Sequence, residues 1–218
     1  MTGTLSGKRV MVPGCGFGDD AIRLAKLNAE VHTFDLSPDL LDIARQRAAL
    51  MNVANIHFDL MPAEELTYPD DFFDLVYFND ILHHVNIPKA IAETRRVLKS
   101  NGKVIANELY THSLLQRIRE NRFVSGFLYP RMVRFIYGTA APYITEDEHK
   151  IDERELAILS AILRRGSLHQ RYFLFLGGRI LPAHWLGVAK FDRAFFATVG
   201  RAGRVFAGRV VLEGTVAK

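Results

Sequence analysis

Val10-Met11-Val12-Pro13-Gly14-Cys15-Gly16-Phe17-Gly18 is the stretch from which the fold of this 218-residue chain is read. The apolar run Val10 to Val12 ends in Pro13 and Gly14, which predicts a short buried β-strand. From Asp19 to Asn28, Ala21, Ile22, Leu24 and Ala25 recur at helical spacing. The order is therefore strand, glycine loop, helix. Glycine lets the backbone turn sharply and lets a ligand come close to the chain. The helix behind the loop presents free N–H groups and the positive end of its dipole.

Outward from the loop, Glu30 to Asp35 predicts a second strand that closes on an acid, 21 residues after Gly14. An acid at that place can accept hydrogen bonds from ribose hydroxyls. The alternative is a glycine-rich turn and an unrelated surface Asp. The dinucleotide fingerprint is G-x-G-x-x-G, whereas this loop reads G-x-G-x-G and is followed by Asp19 and Asp20. Two carboxylates there repel a pyrophosphate but tolerate a phosphate-free sulfonium ligand, which points away from NAD.

The alternation continues. Ser37 and Pro38 are the N-cap and first position of a helix, with Leu40, Leu41, Ile43, Ala44 and Ala48 as its apolar face. Asn55 to Leu60 and Phe72 to Phe78 predict strands three and four. Pro88 opens a helix expected to end at Asn101-Gly102, before a fifth strand from Lys103 to Leu109. Strands alternating with helices imply a parallel sheet with right-handed crossovers. After Tyr110 the pattern is helical through residue 137, then loop-like over Thr139 to Tyr143. A helix from Asp152 to Arg165, a strand from Gln170 to Leu176, a helix over 184–200 and a strand from Arg209 to Val216 follow.

Composition narrows the function classes. Hydrophobic residues make up 49% and charged residues 24%, which excludes wholesale disorder. The single cysteine, Cys15, excludes an internal disulfide and a cysteine-rich zinc site, and fits a reducing, cytoplasmic compartment. No apolar run is long enough for a transmembrane helix, and Met1 to Gly7 lacks the apolar stretch of a signal peptide. Residues 1–110 hold 11 Lys and Arg against 15 Asp and Glu, whereas residues 111–218 hold 17 against 9. An acidic half followed by a basic half suggests two jobs along the chain. The basic half suits an anionic substrate, a membrane surface or nucleic acid, or is an ordinary solvated helical surface.

Taken together, several stretches resemble a class I S-adenosylmethionine-dependent methyltransferase, of the small-molecule group called methyltransferase type 11. They are the Val10 to Gly18 loop; Val31 to Leu36; Ala63-Glu64-Glu65-Leu66; Phe73-Asp74-Leu75-Val76; Leu82-His83-His84-Val85; and Arg96-Val97-Leu98-Lys99 before Gly102. The resemblance covers residues 8–110. It implies a Rossmann-like, mostly parallel α/β sheet of seven strands in the order 3-2-1-4-5-7-6. Strand 7 is antiparallel, and a helical insertion separates strands 5 and 6. The implied organisation is a cofactor-binding core at 1–110, a helical lid or substrate insertion at 111–166, and strands 6 and 7 within 167–218.

The resemblance further implies S-adenosylmethionine as cofactor and S-adenosylhomocysteine as product. Gly14 and Gly16, with Cys15 between them, pass under the methionine part. Asp35 binds the ribose and Leu36 flanks the adenine. Pro62, Ala63 and Glu64 lie at the adenine edge, and Asn79 lies near the sulfonium. The chain departs from the family pattern at Val12, where an acid is usual, at Pro13, and at Pro62, where Asp is frequent. Asp59, Asp19 or Asp20 are the candidates to compensate. Strand one begins near Lys8, so the helix that usually precedes it is missing. This implies an open site, covered by residues 111–150 or completed by another subunit as a homodimer.

Methyl transfer needs nucleophile and methyl held in line, and some acceptors also need a base. Asp80, His83 and His84 follow the fourth strand, where ligands bind in parallel sheets, and are the candidate catalytic residues. The alternative is that His84 caps the helix and packs. His112 and His149 are weaker candidates. No H-x-x-x-H pair occurs among the eight histidines, so no metal is expected. Phe123, Phe127, Tyr129, Phe135, Tyr137 and Tyr143, with Arg117, Arg119, Arg122, Arg131 and Arg134, can form an apolar, anion-tolerant acceptor pocket or a lid core. They can also rest on a membrane as a peripheral contact. No nucleic-acid-binding module is present. The expected activity is methyl transfer to O, N or C of a small aromatic or apolar metabolite. The alternatives are a non-catalytic binding domain and an NAD-dependent oxidoreductase.

Overall fold

The computed structural model describes residues 5–110, 118, 121–137, 151–177, 180–182 and 184–218. Seven strands form one sheet in the order β3-β2-β1-β4-β5-β7-β6. They are β1 (Arg9–Pro13), β2 (Glu30–Asp35), β3 (Ile56–Leu60), β4 (Phe73–Asn79), β5 (Leu98–Leu109), β6 (His169–Phe173) and β7 (Arg209–Thr215). The sheet is mostly parallel with β7 antiparallel, as the resemblance implied. β1 pairs in parallel with β2 and β4, and β2 with β3, through registers such as Met11 with His32 and His32 with His57.

The helices start where local chemistry directs. Asp19–Ala25 forms α1, and Pro38–Leu50 forms α2. The Ser37 hydroxyl caps α2 by accepting from the Leu40 N–H, and Pro38 loses nothing at the first position because its missing N–H would have no partner there. Ile87–Val97 forms α3, capped by the Asn86 side chain accepting from the Lys89 N–H. The helical insertion contains a π-helical turn at Val124–Leu128 and α4 (Tyr129–Tyr137). Glu153–Ala161 is α5 and Leu186–Val199 is α6.

One boundary differs from expectation. Helix α3 stops at Val97, and β5 begins at once with Leu98. Asn101 does take the left-handed conformation, φ 66°, but within the strand. Asn tolerates positive φ wherever a tight bend needs it, not only at helix ends. The bend brings Gly102 so near Leu98 and Lys99 that an added Cβ would lie 2.8 Å from Leu98 Cδ2.

The chain divides into two compact units. One comprises Met1–Ala106, Glu155–His169 and Leu212–Lys218, and the other Asn107–Arg154 and Gln170–Val211. In the first, Val10, Met11, Val31, Phe34, Phe73, Val76 and Phe78 of the strands are buried, with Leu41 and Ala44 of α2. In the second, the Tyr110 and Tyr172 rings meet at 5.5 Å and the Tyr110 hydroxyl donates to Glu153. There the buried Asp192 of α6 accepts from the backbone N–H groups of Phe175, Leu176 and Gly177, fixing the chain after β6. Among the described residues no helix is long and apolar enough to cross a membrane.

Candidate active site

The site begins where β1 runs out. Gly14 has φ 71°, and an added Cβ would sit 2.7 Å from Ile81 Cδ1, so only glycine admits Ile81 there. Gly18, φ 81°, lies against α2, where a Cβ would meet that of Ala44 at 2.9 Å. Pro13 has no N–H, but the Cys15 N–H resumes contact with β2 by donating to the Phe34 carbonyl at 2.8 Å. The Arg47 guanidinium ties the loop to α2 by donating to the Phe17 carbonyl and to Asp19.

Asp35 stands at the carboxyl end of β2 beside this loop. One carboxylate oxygen accepts from the Gly16 N–H and the other from the Ser37 N–H, each at 3.0 Å. The neighbouring Leu36 is 72% exposed.

Across the cleft, β4 ends at Asn79, whose side-chain amide donates to Asp20 at 2.8 Å. Asp80 follows with φ 53°, a conformation that a short polar side chain tolerates. The Leu82–His84 3₁₀ turn separates the two histidines. His83 is 4% exposed, whereas His84 points outward, and their rings meet at 4.1 Å. The packed histidine is thus His83, not His84, because the turn directs successive side chains to different sides.

The third wall is the connection from β3 to β4, pinned by α3. Arg96 donates to the carbonyls of Leu66 and Tyr68 and to Asp70 and Glu93, and Glu93 accepts from the Leu66 N–H. Glu64 in turn accepts from the Asn86 N–H at 2.7 Å.

These walls enclose a cleft of about 370 Å³. Of the residues singled out in the sequence, Gly14, Gly16, Asp35, Leu36, Ala63, Glu64, Asp80 and His84 line it. Cys15, Pro62, Asn79 and His83 do not. The Cys15 side chain turns into the core with Leu41, Ala44 and Phe58, where burial pushes the thiol up to about 11. Among the candidates to replace the missing acids, Asp19 is paired with Arg47 and Asp59 accepts from the Tyr68 hydroxyl, and neither lines the cleft. Phe34, Leu40, Met61, Ile81 and Val85 also line the cleft and were not anticipated. Phe34, Met61, Ile81 and Val85 each adjoin an anticipated position in the chain, whereas Leu40 enters from the first turn of α2.

In the second unit, Phe123, Phe127, Phe135, Trp185 and Leu186 are exposed. Phe123 stacks on Phe127, Arg131 lies 3.8 Å over the Phe127 ring, and Phe135 meets Trp185 edge-on at 5.9 Å. His112, His149, Tyr143, Arg117, Arg119 and the loop over 139–143 lie outside the described residues, as do the side chains of Arg134 and Tyr137.

Residues 5–151 match the family model described as a methyltransferase domain. The chain belongs to that methyltransferase family. It is similar to the ubiquinone/menaquinone biosynthesis C-methyltransferase UbiE of Vibrio campbellii, 26% identical over 84% of this chain and 73% of that protein. It is also similar to the demethylmenaquinone methyltransferase of Tropheryma whipplei, 30% identical over 70% of this chain and 65% of that protein. Among solved structures, YcgJ of Bacillus subtilis shares the fold with a TM-score of 0.57. The match has 18% identity and covers 100% of this chain and 94% of that one. The protein is therefore an S-adenosylmethionine-dependent methyltransferase with a Rossmann-like sheet. The oxidoreductase reading of its glycine loop is set aside.

Proposed function

We propose that this methyltransferase holds S-adenosylmethionine in the cleft between β1, β2 and β4 and transfers its methyl group to O, N or C of a small aromatic or apolar metabolite. The observation that carries this reading is the Asp35–Leu36 pair facing the glycine loop across a cleft of about 370 Å³. Each Asp35 oxygen already accepts one N–H, and a carboxylate oxygen has a further lone pair for a ribose hydroxyl. Exposed Leu36 offers an apolar surface to one face of the adenine, with Ala63 and Glu64 at its edge. Gly14 and Gly16, both in the cleft wall, would hold the methionine portion. Apart from Gly16 itself and its two neighbours in the chain, no heavy atom lies within 4 Å of where a Gly16 Cβ would stand, so the backbone there is open to a ligand. Asn79, through Asp20, stands behind the sulfonium end.

The bound cofactor supplies an electrophilic methyl group. The chain's part is to align the acceptor and to take a proton where the acceptor has one to lose. His84, exposed at the cleft wall, is the base we favour, with Asp80 beside it and His83 as the packing partner that positions His84. The names of the relatives, which refer to ubiquinone/menaquinone biosynthesis and to demethylmenaquinone, support an aromatic acceptor methylated at carbon. We assign the acceptor side to residues 111–166. Their exposed aromatic rings and arginines also support a peripheral contact with an anionic membrane.

Thermal unfolding tests the cofactor assignment. S-Adenosylmethionine and S-adenosylhomocysteine at about 100 times Kd should each stabilise by roughly 2.7 kcal/mol, and NAD should not. Asp35→Ala should remove the shift. Because Asp35 also supports its own loop, Leu36→Asp is the cleaner second variant. An unshifted wild-type protein would remove the cofactor from this cleft. Binding without turnover on any quinone-type acceptor would favour the non-catalytic reading.

A further inference from the structure

Away from the cofactor cleft, the opening half of β2 and its neighbour β3 carry a cluster that the methyltransferase reading does not use. Glu30 and His32 are two residues apart on β2, so their side chains leave the same face of the sheet. His57 on β3 is the direct register partner of His32. Adjacent strands are about 4.8 Å apart, which places the two imidazoles side by side. Their rings stack at 4.3 Å with planes 18° apart. The same carboxylate oxygen, Glu30 Oε1, lies 3.3 Å from His32 Nε2 and 3.9 Å from His57 Nε2. All three donor atoms fall within 4.8 Å of one another.

The surroundings suit a ligand set. Phe72, Phe73 and Tyr68 wall His32 with edge-on contacts at 5.3, 5.4 and 5.5 Å. Arg9 holds the other Glu30 oxygen, Oε2, at 3.3 Å, which turns Oε1 toward the imidazoles. A partner that orients a ligating carboxylate in this way is characteristic of metal sites. The His57 side chain is 57% exposed, so an ion can enter from solvent.

We propose that Glu30, His32 and His57 form a site for a borderline divalent transition-metal ion, Zn²⁺ in the first instance, completed by water and distinct from the cofactor cleft. Two imidazole nitrogens and one carboxylate oxygen match zinc and exclude magnesium and calcium, which take oxygen donors. Ligand bonds of about 2.0–2.2 Å in a tetrahedral site need donors roughly 3.3–3.6 Å apart. The separations to Oε1 are within a few tenths of an ångström of that. Rotation of exposed His57 off its stacked position brings its nitrogen to the ion. The ion would clamp β2 to β3, so its effect is on stability, with the methyl-transfer cleft left intact.

Calorimetric titration of the tag-free, chelator-treated protein with ZnCl₂ tests this, and CoCl₂ supplies a visible spectrum. The expected result is one ion per chain, a rise in melting temperature reversed by EDTA, and a tetrahedral Co²⁺ absorption. His57→Ala and Glu30→Gln, both at solvent-accessible positions where folding should survive, should each weaken binding by more than about tenfold. Both should leave the S-adenosylhomocysteine affinity unchanged, so failure here and failure of the cofactor assignment are read separately. No Zn²⁺ binding by the wild-type protein, or equal Zn²⁺ affinity in the wild type and both variants, overturns the proposal.

Discussion

The thiol of Cys15 lies in the middle of a loop built for ligand approach, yet it faces Leu41, Ala44 and Phe58 and not the cleft. Burial raises its pKa from 9.0 to about 11. Below pH 9 both folded and unfolded chains keep the proton. Between about 9 and about 11 only the unfolded chain gives it up, so folding stability falls as pH rises through that window. Urea midpoints measured across that range should fall more steeply for the wild type than for Cys15→Ala. Tyr68 and Tyr110, also pushed upward by burial, contribute equally to both proteins and cancel in the comparison. Equal slopes would mean that the thiol reaches water. The same residue-scale reasoning separates His83 from His84, adjacent in sequence and alike in chemistry, of which only His84 meets the cleft.

Helix α3 acts at the next scale. Its Arg96 fork holds the carbonyls of Leu66 and Tyr68, and Glu93 holds the Leu66 N–H, so the helix sets the position of the segment carrying Ala63 and Glu64. Arg96→Ala strips these partners from a part-buried loop and should destabilise by roughly 2–3 kcal/mol, read by urea unfolding. It should also weaken S-adenosylhomocysteine binding, although Arg96 does not line the cleft. Arg96→Lys keeps the charge but not the planar fork and should recover only part of both losses. Unchanged cofactor affinity in Arg96→Ala would show that the segment holds its place without the helix.

For the whole molecule, the uneven charge of the sequence has a structural counterpart. The acidic first half contains the cleft read as the site of a sulfonium cofactor. The basic second half contains the exposed Phe123, Phe127, Phe135, Trp185 and Leu186 beside Arg122 and Arg131. Sedimentation with vesicles should therefore show binding to phosphatidylglycerol-containing bilayers, none to neutral ones, and weakening as salt rises. Phe127→Ser with Trp185→Ser should reduce it. Retention of the protein in the supernatant with both lipids would end the membrane assignment.

Read alone, the amino-acid order settles what neighbouring residues dictate to one another. Apolar run, Pro and glycines set the strand and loop. Ser37 and Pro38 set the start of α2 to the residue, and alternation of strand and helix set a parallel sheet whose order the family resemblance supplied. Asp35, Leu36, Ala63 and Glu64 could be picked out because the motif surrounds them. Long-range packing sets Ile81 against Gly14, turns Cys15 inward and stops α3 at Val97. It alone drew Asp192 beneath the chain after β6 and set Glu30, His32 and His57 against one another where no spacing rule indicated a metal. Each of these depends on strand register or on packing between segments far apart in the chain. Hydrophobic period and capping chemistry report only the few residues within one turn or one pleat.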